Sequence, residues 1–383
     1  MSPVNHASTR IARAGVDEDR GWGAVMPPLH LSSNFSFAGF GEKRLFDYTR
    51  SGNPTRQTLG QILSELEGGA GAVVTSSGMA ALDLVFSRAR PGDLIVAPHD
   101  CYGGSYRLLS ERQARGDFRV VFVDQNDAPA LDAALSLAPT LVLVETPSNP
   151  LLRIVDLGLL ARKAHDAGAR LAVDNTFLSP ALQQPIAWGA DFVIHSTTKY
   201  INGHSDVVGG AVISASPEDA AKLEAWANCV GVTGAPFDSY LTLRGLRTLF
   251  VRLEQQSRTA GAVAAALAAH RAVRRTWYPG LAGHPGHALA AAQQRGFGAM
   301  ISFELENEEA VRRLVPRLRL FTLAESLGGV ETLVAHPATM THAAMDPAAR
   351  EAAGVTDGLL RLSIGLEHQA DLIADLTQAL DTL

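Results

Sequence analysis

A lysine with hydroxyl neighbours, Lys199, follows the short apolar run DFVIHS (191–196). The run has the composition of a buried strand, so the lysine stands where a strand is predicted to end. A lysine in this position is either a solvated surface residue or an amine made nucleophilic by burial, since the loss of water lowers its pKa. Position alone leaves both readings open.

Two further groups of residues whose types could take part in chemistry also follow apolar runs. Asp174 lies in the run RLAVDN (170–175), and the turn Ser76–Met79 follows GAVVT and opens a predicted helix. A carboxylate at a buried strand end needs a partner, and a helix N-terminus offers N–H groups to an anion. Each has an ordinary alternative, because Asp174 could bind a backbone amide or cap a helix and Ser-Gly turns start many helices.

The elements that would position these residues form an alternating pattern. Short, almost wholly apolar runs alternate with helical patterns such as 157–169, which predicts an α/β fold with a mostly parallel sheet covered by helices. Ligands bind beyond the carboxyl ends of the strands in such sheets, so the polar residues there should share one pocket. The clearest predicted strands are 94–98, 119–124, 140–145, 170–175 and 191–196.

The composition along the chain predicts three segments. Residues 1–57 are rich in Gly, Pro, Ser, Asn and charged residues, which predicts an arm with little regular structure that packs on something else. Residues 58–245 contain the alternating runs. Residues 246–383 contain an Ala-rich helical stretch, strand-like runs and a closing amphipathic helix, which predicts a smaller C-terminal α/β domain.

The overall composition is that of a globular enzyme. The 383 residues are 46% hydrophobic and 19% charged, with a formal net charge of −6. No basic block favours nucleic acid or a membrane surface. With no apolar leader and no run of about 18–20 apolar residues, we expect a cytoplasmic protein.

Cysteines and histidines give no pattern that predicts a metal site. Cys101 and Cys229 are too few for a disulfide framework and lie in no CxxC pair, which suits a reducing compartment. His284 and His287 are close in sequence but have no Cys or acidic partner in register. We therefore expect no metal, with an ordinary loop at the two histidines and structural roles for the two thiols.

An anion-binding turn, a carboxylate and a lysine together match the needs of pyridoxal phosphate. The phosphate would lie on the helix N-terminus, and Asp174 would keep the pyridine nitrogen protonated so that the ring withdraws electrons. Lys199 would bind the aldehyde carbon, and Tyr102 could stack on the ring. These residues therefore predict pyridoxal 5′-phosphate as the cofactor.

The chain resembles the Cys/Met-metabolism family of pyridoxal-phosphate-dependent enzymes, and within it the γ-replacing bacterial members. The resemblance implies the fold of the aspartate aminotransferase-like, fold type I enzymes, with a large mostly parallel-sheet domain and a smaller C-terminal α/β domain. The matching stretches run nearly end to end in family order. They are YTRSGNPTR (48–56), LEGGAGAVVTSSGM (66–79), PGDLIVAPHDCYGGSYR (91–107), VETPSNPLLRIVD (144–156), VDNTFLSP (173–180), HSTTKYINGHSDVVGG (195–210), SYLTLRGLRTL (239–249), TLAESLGGVETL (322–333) and LLRLSIGLE (359–367).

The resemblance also implies roles for residues around the cofactor. Lys199 would bind the aldehyde and later move protons, Asp174 would pair with the pyridine nitrogen and Tyr102 would stack on the ring. The phosphate ligands would be Gly78, Met79, Ser196 and Thr198, together with Tyr48 and Arg50 of a neighbouring subunit. The arm would then pack on another chain, in a homotetramer built of active dimers.

At the substrate end, the resemblance implies that Arg361 clamps the α-carboxylate in a bidentate pair, which its planar fork suits. Ser326 and Asn149 would orient that end. Glu325 matches the γ-type pattern, where β-lyases tend to have an aromatic residue.

A distal pocket for a second carboxylate is also implied. Arg107 would bind the far carboxylate of O-succinyl-L-homoserine, with Asp47 and Asn228 nearby.

The implied reaction is the γ-replacement of O-succinyl-L-homoserine with L-cysteine, giving L-cystathionine and succinate in the transsulfuration route of methionine biosynthesis. A γ-lyase acting on cystathionine and a sulfhydrylase accepting sulfide would share every cofactor residue. The leaving group could also be acetyl or phospho. A nicotinamide-dependent oxidoreductase would need a strand–GxGxxG–helix fingerprint, which we do not find. A non-catalytic relative would be expected to lack Lys199 or Asp174, and both are present.

Overall fold

Two β-sheets organise the part of the chain that the computed structural model describes, residues 5–343 and 345–383. The larger sheet has seven strands and the smaller has five. The α/β fold with a large, mostly parallel sheet and a smaller second sheet confirms the predicted fold class.

The large sheet has the strand order β1-β7-β6-β5-β4-β2-β3. Its strands are β1 (Gly71–Thr75), β2 (Leu94–Pro98), β3 (Arg119–Val123), β4 (Leu141–Glu145), β5 (Arg170–Asp174), β6 (Phe192–His195) and β7 (Gly210–Ser214). Strands β3, β2, β4, β5 and β6 run parallel, and β7 pairs antiparallel with both β6 and β1. The five strands listed from the sequence are therefore confirmed, whereas β7 was not predicted.

Helices cover both faces of this sheet. Consecutive residues of β7 show this directly, because Val212 packs into one apolar cluster and Ile213 into the other. A strand covered on both faces has no polar side, which explains why these runs are continuously apolar.

The α-helices of the whole described part of the chain are α1 (Ala7–Ala12), α2 (Pro54–Glu67), α3 (Gly78–Phe86), α4 (Gly103–Ala114), α5 (Ala128–Leu135), α6 (Leu157–Asp166), α7 (Ser179–Leu182), α8 (Pro217–Val230), α9 (Pro236–Leu246), α10 (Leu249–Ala269), α11 (His287–Gln293), α12 (Glu308–Leu314), α13 (Pro347–Ala352) and α14 (Gln369–Leu380).

The small sheet lies in the C-terminal part of the chain and has the order β10-β11-β12-β9-β8. Its strands are β8 (Arg275–Trp277), β9 (Met300–Glu304), β10 (Thr322–Leu323), β11 (Leu333–Ala335) and β12 (Leu359–Ser363). The central strand, β12, is buried along its whole length. The small sheet falls entirely after residue 246, while the segment boundaries at 57/58 and 245/246 remain predictions.

The N-terminal arm has little regular structure after α1. Its large apolar side chains are unusually exposed, with Trp22 at 95%, Leu45 at 84% and Phe40 fully exposed. Exposed apolar groups concentrated in one segment are typical of a surface that another molecule covers.

Candidate active site

A cavity of about 270 Å³ lies at the carboxyl ends of the large-sheet strands, where they face residues of the C-terminal part of the chain. Eleven residues singled out from the sequence line this cavity. They are Gly78, Met79, Tyr102, Asn149, Asp174, Ser196, Thr198, Lys199, Glu325, Ser326 and Arg361. The position of the pocket agrees with the expectation for parallel sheets.

The start of α3 forms one wall and has the geometry of an anion site. Ser77 caps the helix, its Oγ accepting the Ala80 N–H at 3.0 Å, so the helix begins at Gly78 inside the cavity. The first amides of a helix have no intrahelical acceptor and can bind an anion. A Cβ on Gly78 would lie 2.7 Å from Cβ of Ser196, so only glycine lets the helix approach that hydroxyl residue. A phosphate group fits here.

Two carboxylates, one buried and one half-buried, stand side by side on the cavity floor. Asp174 of β5 is the register partner of Glu145 of β4, and both side chains line the cavity. Burial raises the pKa of Asp174, while hydrogen bonds from Thr176, including its N–H at 3.0 Å, act in the opposite direction. A cationic ring nitrogen would stabilise the ionised form of Asp174, so the floor fits a protonated pyridine.

Glu145 was not singled out from the sequence. Its carboxylate accepts the Tyr102 N–H at 3.0 and 3.1 Å, which holds the residue that precedes α4. Burial and the charge of Asp174 raise the pKa of Glu145 well above its usual value. The acidic residue that ends the run TLVLVE was the available signal, because β4 ends at the same sheet edge as β5.

Tyr102 lies at the mouth of the cavity and is 41% exposed. Its ring packs over the first turn of α4, where a Cβ on Gly104 would lie 2.5 Å from the ring and 2.9 Å from Sδ of Met79. The aromatic face is therefore available at the same cavity as Lys199 and Asp174, as stacking on a ligand ring requires.

The side chain of Lys199 is half-buried, and its Nζ donates a hydrogen bond to Ser326 Oγ at 2.8 Å. The pKa of Lys199 is lowered to about 8, mainly by burial and then by the nearby charge of Arg361, while the charge of Glu325 acts in the opposite direction. The lowered pKa favours the nucleophilic reading of this lysine over the solvated one.

We expect covalent attachment of pyridoxal phosphate to the cofactor-free protein to accelerate between about pH 7 and pH 9 and then level off. Only the neutral amine attacks an aldehyde, and the neutral fraction of Lys199 rises as the pH passes its pKa of about 8. Stopped-flow absorbance would measure the rate. Lys199→Arg is the control, because it leaves the surface lysines intact. A rate that still climbs steeply above about pH 10 would contradict the lowered pKa.

Arg361 of β12 forms the wall opposite the large sheet and is 2% exposed. Its Nη1 donates to Asn149 Oδ1 and its Nη2 to the Ser326 carbonyl, both at 2.9 Å, and burial lowers its pKa to about 10. Its Nε is buried without a hydrogen-bond partner among the described residues. A buried guanidinium with neutral acceptors and a free N–H suits a carboxylate ligand.

Ser326 connects the two cationic side chains. Its hydroxyl accepts from Lys199, its carbonyl accepts from Arg361, and its φ is +87°, a region that non-glycine residues seldom adopt. Strained backbone of this kind persists only where surrounding contacts hold it, and it concentrates at functional sites.

The remaining sequence candidates do not line the cavity within one chain. Arg50 Nη1 donates to the Asn228 carbonyl at 2.5 Å and to its Oδ1 at 2.9 Å, beside a groove that also includes Asp47. Tyr48 belongs to the same arm, with its ring 5.6 Å from the guanidinium carbon of Arg50. Arg107 is exposed on α4. Their roles remain predictions.

In residues 5–343 and 345–383, no cluster of His, Cys, Asp and Glu has the geometry of a metal site. His284 Nδ1 accepts the Gly286 N–H, and His287 Nδ1 lies 2.7 Å from the Pro279 carbonyl. Cys101 is buried and Cys229 is exposed, and both are free thiols. Within the same residues, no helix combines the length and apolar character needed to span a bilayer.

Comparison with known proteins adds to this geometry. The family model described as Cys/Met metabolism PLP-dependent enzyme matches residues 8–381. Cystathionine gamma-synthase of Escherichia coli (strain K12) is 57% identical over 371 residues, 96% of each protein. Cystathionine beta-lyase of Lactococcus lactis subsp. cremoris is 44% identical over 97% of this chain and 98% of its own length. The crystal structure of cystathionine gamma synthase from Xanthomonas oryzae pv. oryzae in complex with cystathionine has a TM-score of 0.98 at 59% identity, covering 99% of this chain and 98% of the other.

Proposed function

Because the chain belongs to the Cys/Met-metabolism family of pyridoxal-phosphate-dependent enzymes, we propose that it is an enzyme that makes L-cystathionine. The reaction is the γ-replacement of O-succinyl-L-homoserine with L-cysteine, with pyridoxal 5′-phosphate as the cofactor. The Cγ–O bond of the substrate breaks and succinate leaves with the electron pair. The cysteine sulfur forms the new Cγ–S bond and its proton is released.

The observation that carries this proposal is the difference in identity among the relatives. Two cystathionine γ-synthases are 57% and 59% identical to the chain over nearly their whole length, whereas a cystathionine β-lyase of similar coverage is 44% identical. Glu325, which lines the cavity, follows the γ-type pattern noted in the sequence. A γ-lyase and an O-succinylhomoserine sulfhydrylase remain the alternatives, since they would use the same cofactor residues.

The cavity residues can hold the cofactor through three contacts. The amides of Gly78 and Met79 and the hydroxyls of Ser196 and Thr198 would hold the phosphate, Asp174 would pair with the ring nitrogen, and Tyr102 would cover the ring. When bound, pyridoxal phosphate supplies an electron sink that stabilises negative charge on the substrate carbons. Lys199 Nζ would bind the cofactor and then take and return protons on the substrate.

Arg361 would orient the amino-acid end of the substrate. Its free Nε and its Nη groups would bind the α-carboxylate, with Asn149 and Ser326 holding the guanidinium plane. A fixed carboxylate restricts rotation about the bond to Cα, so the Cα–H bond is presented to Lys199 in a defined direction. The hydrogen bond from Lys199 to Ser326 keeps the amine near that position.

The arm residues would complete a neighbouring active site. Tyr48 and Arg50 would reach the partner's phosphate site, and Arg107, Asp47 and Asn228 would form the distal pocket in the assembly. The exposure of Trp22 and Phe40 in the single chain supports an arm that packs on a neighbouring subunit, because an arm in water would leave these large apolar groups solvated. We propose a homotetramer of active dimers that works in the cytoplasm.

A product assay tests the reaction. The purified protein with pyridoxal phosphate receives O-succinyl-L-homoserine with and without L-cysteine, and in parallel cystathionine alone, and mass spectrometry follows the products. We expect cystathionine only when cysteine is present, with little breakdown in the parallel tube. Rapid 2-oxobutyrate from cystathionine would instead indicate a γ-lyase, and pyruvate would indicate a β-lyase. Replacing cysteine with sulfide tests the sulfhydrylase alternative.

A further inference from the structure

A buried histidine outside the residues assigned so far is connected to the carboxylate clamp. The side chain of His342 is fully buried, and its ring lies between two polar groups. Its Nε2 is 3.1 Å from the Asn149 carbonyl oxygen, and its Nδ1 is 2.8 Å from Thr341 Oγ1. Both Asn149 and Thr341 line the cavity.

These contacts determine how the imidazole is protonated. A carbonyl oxygen can only accept, so Nε2 carries the hydrogen that is donated to Asn149. Burial and the nearby charge of Arg361 lower the pKa of His342 to about 4, so the ring is neutral near pH 7. A neutral ring leaves Nδ1 as an acceptor for the Thr341 hydroxyl. The Asn149 carbonyl therefore fixes the tautomer, and the Thr341 hydroxyl, which can donate or accept, stabilises it by donating to Nδ1.

Asn149 connects His342 to Arg361 through two hydrogen bonds. Its carbonyl is held by His342, while its side-chain Oδ1 accepts from Arg361 Nη1 at 2.9 Å. Asn149 is 4% exposed, so water cannot readily replace a lost donor. The hydrogen bond from His342 therefore orients Asn149, and the side chain of Asn149 in turn holds Nη1 of Arg361.

The segment that carries His342 is itself seated on the cavity wall. The His342 N–H donates to the Pro337 carbonyl at 2.9 Å, which closes the chain into a compact turn. The Thr341 carbonyl packs against Gly103, where a Cβ would lie 2.7 Å from that oxygen. Gly103 directly follows Tyr102, so the turn is in contact with both the start of α4 and the Asn149 loop.

From this geometry we infer that His342 is a positioning residue for the substrate α-carboxylate, acting through Asn149 and Arg361. The inference rests on the proposed role of Arg361 as the carboxylate ligand. His342 does not line the cavity, and it contacts neither the amine of Lys199 nor Asp174. Its loss should therefore weaken recognition of the carboxylate more than the chemistry at Lys199.

Two variants of His342 test the hydrogen bond that its Nε2 donates to the Asn149 carbonyl. Asparagine in His342→Asn can still reach Thr341 but cannot extend to the Asn149 carbonyl. Glutamine in His342→Gln can place its Nε2 where the imidazole Nε2 lies and restore the hydrogen bond. His284→Asn is the matched control, because His284 is also a buried histidine but lies outside the cavity lining.

The principal measurement compares two simple amines on the holoenzyme. Titrations of the cofactor absorbance give a Kd for L-alanine, which has the α-carboxylate, and for ethylamine, which lacks it. For His342→Asn we expect the alanine Kd to rise about tenfold, the effect of one buried hydrogen bond, while the ethylamine Kd changes less than about twofold. His342→Gln and His284→Asn should both stay within about threefold of the unmodified protein for alanine.

Steady-state kinetics give a second readout. His342→Asn should raise the KM for O-succinyl-L-homoserine about tenfold and change kcat much less. An unchanged alanine Kd, equal weakening of alanine and ethylamine, or failure of His342→Gln to restore binding would each overturn the inference. Failure to form cystathionine would reject only the proposed reaction, because the alanine and ethylamine comparison does not depend on it.

If His342→Asn does not fold, Thr341→Val probes the same chain of contacts. Removing the hydroxyl leaves Nδ1 buried without a donor, so the ring that donates to the Asn149 carbonyl is held less firmly. We expect an alanine Kd raised about threefold or more, with Thr341→Ser, which keeps the hydroxyl, close to the unmodified protein. Equal Kd values for the valine and serine variants would count against the inference.

Discussion

Replacement of Lys199 by alanine should abolish the absorbance of covalently bound cofactor and lower kcat on the order of 10⁴-fold or more. The reason is that one amine would have two tasks in the proposed function. Its lowered pKa would make it the nucleophile for the aldehyde, and its position 2.8 Å from Ser326 Oγ would keep it beside the side chains proposed to orient the substrate. Among residues 5–343 and 345–383, no other lysine lines the cavity.

Absorbance spectra of the reconstituted variant and single-turnover assays would check this expectation. Lys163→Ala is the matched control, since Lys163 lies on α6 and pairs with Asp132 at 2.5 Å, away from the cavity. The control should retain both absorbance and turnover. Turnover of Lys199→Ala at a rate near that of the control would remove Lys199 from its assigned role.

Replacement of Arg361 by methionine should lower kcat/KM for O-succinyl-L-homoserine roughly 10³-fold, because a buried charge-assisted pair would be lost. The variant should still bind pyridoxal phosphate, since the residues proposed to contact the phosphate and the pyridine lie at the edge of the large sheet. Arg361→Lys should also be poor, with kcat/KM reduced about 10²-fold. Lysine keeps the charge but cannot hold Asn149, Ser326 and a carboxylate in one plane.

The cofactor absorbance of each variant separates a damaged clamp from a lost cofactor site. Arg275→Lys is the control, because Arg275 lies on β8 of the same small sheet but stacks on Trp277, 4.8 Å from its ring centroid. Its kinetics should match those of the unmodified protein. Arg361→Met with KM and kcat both within about twofold of the control would contradict the clamp and, with it, the role inferred for His342.

The half of the cavity that is proposed to hold the cofactor could be predicted from local sequence. Asp174, Lys199 and the turn at Gly78 each follow an apolar run, and such runs are strands because both faces of the sheet are covered. The carboxyl ends of parallel strands meet at one edge, so residues far apart in the chain were expected in one pocket. The structure brings all three to the same cavity.

Resemblance to the family, rather than local pattern, indicated Arg361 and Asn149. They are 212 residues apart, and Arg361 sits among the leucines of the strand LLRLS, where the spacing of the residues gives no sign of a ligand. Their contact exists because the small sheet packs against the open edge of the cavity. The free Nε of Arg361 and the strained φ of Ser326 are properties of that packing.

The sequence by itself determined the fold class, five strands of the large sheet and the residues that line the cavity at the strand ends, because these depend on periodicity and on strand ends. Tertiary structure decided the antiparallel insertion of β7, the burial of Glu145 beside Asp174, and the path from Thr341 through His342 and Asn149 to Arg361. A pKa and a hydrogen-bond partner depend on what surrounds a side chain, and distant segments supply those surroundings.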